Sequence, residues 1–306
     1  MSEKLCEGRV AVITGAGNGL GRAHALAFAE QGAKVVVNDL GAGRDGDGAS
    51  GGPAQRVVDE ITAAGGEAVA NTGDISSWDG ARQLVEQAVD AFGGLDVLVN
   101  NAGILRDRMV VSMTERDWDG VLAVHLKGTI APLHHAAAYW REQSKLGRTV
   151  DARVINTSSP SGLFGSVGQG NYGAAKAGIA SLTIIAAAEL VRYGVTVNAV
   201  APTALTRLTE DVEFMRDAAA KADLSPEAIS PLVVWLGSAA SKDVTGRVFG
   251  AMGNRITVLE GWVNGPSADA ADRWDPAALT EVVPGLVARA APNADGLGER
   301  GNSIMI

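Results

Sequence analysis

Cysteine is almost absent from this chain of 306 residues, with Cys6 standing alone. No disulfide can form within the chain, which fits a reducing compartment. Aromatic residues make up only 5%, and four histidines show no spacing against Cys, Asp or Glu that suits a metal. No metal is expected. Clustered positive charge is also missing: 26 Lys and Arg face 35 Asp and Glu, for a net charge of −9. That balance argues against nucleic acid and anionic membrane surfaces as partners. No apolar run approaches the ~20 residues that span a bilayer. Residues 1–8 are charged and too poor in apolar side chains for a signal peptide, and residues 302–306 are not of the peroxisomal Ser-Lys-Leu type. A bacterial cytoplasmic location is the simplest expectation.

What is present is a regular alternation of strand and helix patterns. Hydrophobic residues reach 46%, enough for a sizeable core. Short β-branched runs at 9–14, 33–38, 67–71, 95–100, 153–158 and 195–200 read as buried strands, with helical spacing between them. Without a long linker, the pattern favours one α/β domain over residues 1–265, followed by an extension over 266–306.

The first strand runs directly into Gly15-Ala16-Gly17-Asn18-Gly19-Leu20-Gly21, and a helical pattern over 22–31 follows. Strand, glycine loop and helix in that order suit a phosphate-cradling loop. Glycine lets the backbone approach a pyrophosphate, and the helix N-terminus supplies free N–H groups and the positive end of the dipole. The second strand ends at Asp39, roughly 20 residues beyond the loop, where a carboxylate accepts hydrogen bonds from ribose hydroxyls. Asp39 would repel a 2′-phosphate. No Lys or Arg occupies 38–40 or the glycine loop, and Arg44 is flanked by Asp45 and Asp47. NAD is therefore expected over NADP.

Tyr172 and Lys176 stand four residues apart, one turn on the same face if 172–193 is helical. A free phenol has a pKa near ~10. A nearby ammonium favours phenolate and is expected to draw that pKa toward the working range, suiting proton removal from an alcohol.

Together, Thr14-Gly15-x-x-x-Gly19-x-Gly21, Asn100-Asn101-Ala102-Gly103, Ser159, Tyr172-x-x-x-Lys176 and Asn198-Ala199-Val200-Ala201-Pro202 resemble the short-chain dehydrogenase/reductase family over about residues 8–262. The resemblance implies a single doubly wound, Rossmann-type α/β domain with a central parallel sheet and helices on both faces. It implies Tyr172 as acid/base, Lys176 as the group tuning it and holding the nicotinamide ribose, and Ser159 as the hydrogen-bond partner of the reacting oxygen. Ser158 and Ser161 are close enough to be mistaken for it. It further implies that Asp74 and Ile75 meet the adenine, that Asn101, Ala102 and Gly103 line the adenosine ribose, and that Pro202, Thr203 and Thr206 lie over the nicotinamide. The family usually has asparagine where His125 stands and Pro-Gly where Pro202-Thr203 stands. His125 is open to two readings, a member of the proton relay or a packed helical histidine. Family members associate through helices that include the Tyr-Lys one, so a homodimer or homotetramer is expected.

A narrower pattern consists of Asn38-Asp39-Leu40-Gly41 and the Gly/Asp/Ser-rich insertion over 41–53, Val124-His125-Leu126-Lys127-Gly128-Thr129, Gly168-Gln169-Gly170-Asn171-Tyr172, and 243–249. It resembles the (3R)-hydroxyacyl-CoA dehydrogenase module of multifunctional β-oxidation enzymes and stand-alone bacterial relatives, some acting on steroids or steroid side chains. The implied substrate is acyl-CoA or steroid-like. A different class, a non-catalytic NAD-binding sensor or scaffold, stays open, with intact Ser159, Tyr172 and Lys176 weighing against it. The insertion either flanks the adenosine end of the cofactor or is a solvated loop, with Pro53 opening the next helix. Residues 203–228 are the expected substrate lid, with a helix start at Thr209. In the tail, Asp275-Pro276 suggests a short helix over 276–283.

Overall fold

The computed structural model describes residues 4–43, 45–48, 51–205, 223–271, 273–296 and 298. Thr206 and the lid positions 206–222, including the helix start expected at Thr209, lie outside the described residues.

Eight strands form one sheet: β1 (Val10–Thr14), β2 (Lys34–Asn38), β3 (Glu67–Asn71), β4 (Val97–Asn100), β5 (Ala152–Thr157), β6 (Val195–Thr203), β7 (Val248–Met252) and β8 (Arg255–Leu259). Their order is β3-β2-β1-β4-β5-β6-β7-β8. The first seven are parallel, and β8 returns antiparallel against β7. Strand side chains alternate between faces, and a parallel sheet buries both, so its strands read as unbroken apolar runs. Ala11, Ile13, Val35, Val37, Val97 and Val99 enter one core layer. Val10, Val12, Val36, Leu98 and Val154 enter the other.

The helices are α1 (Gly19–Glu30), α2 (Gly52–Ala63), α3 (Trp78–Phe92), α4 (Glu115–Leu122), α5 (Gly128–Lys145), α6 (Pro160–Phe164), α7 (Gly170–Leu190), α8 (Ser230–Gly237) and α9 (Leu279–Arg289). Phe28 of α1, Val57 and Ile61 of α2 and Leu236 of α8 close the first layer. Leu84 of α3, Trp140 of α5 and Leu190 of α7 close the second. Pro53 sits in the first turn of α2, where a missing N–H costs nothing.

Several boundaries differ from expectation, three of them for local reasons. Helix α1 starts at Gly19 rather than Arg22, because its glycines lower helix propensity yet form the first turn. Strand β6 runs past Val200 to Thr203. Its β5 pairing ends at Thr157, so Pro202 faces a strand partner only on the β7 side, where it pairs with Ala251. In the tail, Asp275 closes a turn to Ala278 instead of capping a helix, and α9 begins at Leu279 and continues through Pro284.

Between α4 and α5 the chain makes one wide π turn over Ala123–Lys127. Thr114 opens α4 with a capping box to Asp117. The segment Gly170–Tyr193 is long and apolar enough to cross a membrane by length and composition alone. Here α7 packs on β6 and carries the buried Lys176, so that apolar content serves the core. Contacts divide the chain into two compact units, 1–259 and 260–306. The second contains α9.

Candidate active site

Strand order reverses between β1 and β4, and the crevice at their carboxyl ends is where ligands bind in open α/β sheets. The glycine loop leaves β1 there. Gly15 and Gly19 have φ of 62° and 51°, a region glycine occupies without strain. A Cβ on Gly15 would meet Ala102 Cα at 2.6 Å, and one on Gly17 would meet Asp39 Oδ2 at 2.7 Å. A Cβ on Gly21 would strike the Gly15 carbonyl. These glycines are thus demanded by the loop's own packing, apart from any ligand. Leu20 anchors the loop against the first core layer. Asn18 precedes α1 without a side-chain cap, and no acidic residue occupies the first turn, which leaves the helix N-terminus open to an anion.

Asp39 follows β2 and is fixed by two backbone donors, Gly17 N–H at 2.8 Å and Gly41 N–H at 2.7 Å. Each carboxylate oxygen can accept a further donor. The nearest cation on α1, Arg22, is paired with Glu60. Asp74 binds Ser76 through one oxygen, accepting from its N–H at 2.8 Å and hydroxyl at 2.7 Å. Ile75 is buried with its Cδ1 against Gly128. Asn101 donates to the Thr14 carbonyl at 3.0 Å and the Gly15 carbonyl at 3.2 Å. Its side chain therefore fastens the glycine loop to β4. Thr14, which sequence reasoning gave no role, is the hub of this joint: its hydroxyl accepts from the N–H groups of Asn101 and Ala102.

Across the crevice, Ser159 caps α6, and its hydroxyl lies near enough to the Tyr172 phenol to act on its ionisation. Ser158 donates to the Lys176 carbonyl at 2.9 Å, and the Ser161 amide donates to Ser159 Oγ. The Ser158 hydroxyl is therefore engaged structurally. Lys176 Nζ donates to the Thr157 carbonyl at 2.6 Å and lies 5.5 Å from the Tyr172 ring centre. The expected lowering of the phenol pKa by lysine is not found in the protein alone. Burial pushes Tyr172 up, while Ser159 works against that rise. Burial also draws Lys176 down to about 7, so the ammonium is only partly formed at neutral pH.

His125 sits inside the π turn, fully buried, with its ring edge-on to Tyr172 at 5.1 Å. Its Nε2 is 2.8 Å from the Ile104 carbonyl and 3.1 Å from the Ile104 amide nitrogen. Ile104 thus brackets Nε2 with both of its backbone groups. Nδ1 is buried and has no protein partner. Burial and the nearby Lys176 charge pull the imidazole down to about 3, so the ring is neutral at physiological pH.

Asn171 is a residue that sequence reasoning left without a role. Its amide donates to the carbonyls of Arg106 and Asp117, both at 3.0 Å, and its oxygen accepts the Tyr172 N–H. It stitches the segment after β4 to the start of α7. Beneath the site, Asn100 donates to Asn156, which donates to Thr183 of α7. Polar residues at the ends of two apolar strands were the available sequence signal. The remaining expected cofactor residues, Pro202 and Thr203, end β6 beside β7.

Comparison with known proteins agrees with this architecture. Residues 9–217 match the sequence profile of the short chain dehydrogenase family. A crystal structure of a short chain dehydrogenase from Mycobacterium avium superposes with a TM-score of 0.86 at 58% identity, covering 95% of this chain and 98% of that one. The hydroxyacyl-CoA dehydrogenase ChsB1 of Mycobacterium tuberculosis is 47% identical, covering 89% of this chain and 86% of its own. The peroxisomal multifunctional enzyme type 2 of Drosophila melanogaster is 48% identical over 78% of this chain, which spans 38% of the fly enzyme's length. By profile, identity and fold alike, this chain belongs to the short-chain dehydrogenase family.

Proposed function

We propose that the protein is an NAD-dependent dehydrogenase of (3R)-hydroxyacyl-CoA thioesters. The observation that carries the reaction is the approach of the half-buried Tyr172 phenol to the buried Ser159 hydroxyl, with Lys176 over the same ring. Relatives named for hydroxyacyl-CoA and for peroxisomal multifunctional enzymes support the substrate class.

The glycine loop and the open N-terminus of α1 fit a pyrophosphate, and Asp39 fits ribose hydroxyls. The nicotinamide, when bound, supplies the acceptor for the hydride leaving the carbinol carbon. Ser159 holds the hydroxyl oxygen, and Tyr172 accepts its proton as the C–O bond becomes a carbonyl. Lys176, drawn toward neutrality by burial, takes the phenol proton first, and its ammonium then favours the phenolate that receives the substrate proton. His125 contributes as a fixed neutral ring beneath Tyr172.

An exposed stripe on α7 supports self-association as a homodimer or homotetramer. Ala174, Ala177, Ser181, Ile184 and Ile185 recur at helical spacing on its outer side, and the two isoleucines remain about half exposed. The single buried Cys6 suits the reducing cytoplasm.

NADH absorbance with a panel of 3-hydroxyacyl-CoAs of both configurations and free hydroxysteroids tests the substrate class. Turnover of the 3R thioesters supports the reading. Turnover confined to free hydroxysteroids, or none on any alcohol, would overturn it.

A further inference from the structure

The insertion after β2 is anchored on the far side of the crevice. Its described residues are 41–43 and 45–48. At its root, Gly41 donates to Asp39. It then folds on itself, with the Gly43 N–H donating to the Asp47 carbonyl at 2.8 Å and the Gly46 N–H to the Gly43 carbonyl at 3.1 Å. Gly46 has φ of 88°, and a Cβ there would sit 3.0 Å from Ile104 Cδ1, so its backbone lies directly on Ile104. Arg106 Nε donates to the Asp45 carbonyl at 2.7 Å. Arg106 Nη2 reaches Asp47 Oδ1 at 3.3 Å, and Arg116 Nη2 reaches both Asp47 oxygens at 3.1 and 3.2 Å. Arg106 also donates to the Arg116 carbonyl at 3.0 Å and lies across Gly120, where a Cβ would meet its Nη1 at 2.6 Å. Every nitrogen of that guanidinium is therefore engaged.

Topology gives this contact its meaning. In the sheet, β1 lies between β2 and β4. A segment rooted at the carboxyl end of β2 and pinned to residues beyond β4 must pass over the carboxyl end of β1, where the glycine loop sits. Asp47, Arg106 and Arg116 thus close a strap across the crevice. Ile104, on which the strap rests, is also the residue held by His125.

We propose that the described residues 41–43 and 45–48 form a strap over the dinucleotide groove and that the ion pairs of Asp47 with Arg106 and Arg116 set the rate at which the dinucleotide leaves. This rests on the reading of the crevice as a dinucleotide site. A dinucleotide held by the glycine loop and Asp39 lies beneath the strap and departs only when the strap lifts. The pairs sit at the surface, Arg116 being largely exposed and Asp47 more than half exposed, so added salt weakens them. Release accelerates accordingly.

The test is NADH release measured by stopped-flow fluorescence, mixing the NADH complex with excess NAD. Equilibrium fluorescence titration of the unaltered protein comes first. Absence of NADH binding there would overturn the dinucleotide reading and the strap with it. Given binding, Asp47→Asn and Arg116→Gln should each release NADH faster at low salt, by about 1.5- to fivefold for each pair lost. The double variant should be no faster than Asp47→Asn, because that variant already loses both ion pairs, including the one Arg116→Gln removes. Release from the unaltered protein should quicken with ionic strength, and release from Asp47→Asn should not. Equal release rates for the unaltered protein and Asp47→Asn at low salt, with NADH still bound by both, would overturn the strap while leaving the dinucleotide reading intact.

Discussion

The Nε2 of His125 lies 2.8 Å from the carbonyl oxygen of Ile104, and the ring it belongs to fills the space where Gly103 would carry a Cβ. The imidazole is wedged between the loop after β4 and the edge of Tyr172. A buried ring this tightly placed, and neutral, holds the geometry of its neighbours.

Gly103 and His125 should therefore behave as a matched pair. Gly103→Ala drives a methyl into the ring and should cost about 1–3 kcal/mol through overpacking. In a His125→Ala background the same substitution should cost no more than about 0.5 kcal/mol, because the obstruction is gone. Chemical denaturation of the two single variants and the double variant measures the coupling. Additive losses would mean that the ring does not occupy that space.

Acid stability follows from two buried imidazoles. His24, bonded to Ser230 Oγ at 2.9 Å, is drawn by burial from 6.5 to about 3, and His125 is drawn as far. In the unfolded chain both return to 6.5. Below that value the unfolded state takes up protons that the folded state refuses, so stability falls as pH drops from 6.5 toward 3. Above 6.5 these groups leave it unchanged. At pH 5 the loss is about 2 kcal/mol per ring. Denaturation at pH 8, 6.5 and 5 should show this, and His24→Gln should have a shallower acid limb. An unchanged limb in that variant would contradict the assignment.

Much of the scaffold was legible in the sequence because parallel strands buried on both faces leave unbroken β-branched runs. Strand β3 falls on the residues read for it, Glu67–Asn71. The start of α1 was misread because glycine is a poor helix former, though here it opens the helix. Ser159, Tyr172 and Lys176 could be picked out by spacing. The direction of the Tyr172 shift could not, since burial is a property of the fold and outweighs the neighbouring lysine. Asn171 and Thr14 act through backbone partners far along the chain, which no local pattern reveals. The same holds for the strap, whose anchor joins Asp47 to Arg116 across 69 positions.

Tyr172 carries the central claim, that its phenol beside Ser159 moves the proton of the substrate hydroxyl. Replacing it with phenylalanine removes one oxygen and leaves the ring packed against His125. The direct measurement is NADH formation from a 3R-hydroxyacyl-CoA by Tyr172→Phe, alongside NADH binding by fluorescence. Loss of turnover by at least a hundredfold with NADH affinity kept within about threefold is predicted. Turnover within tenfold of the unaltered protein would contradict the mechanism.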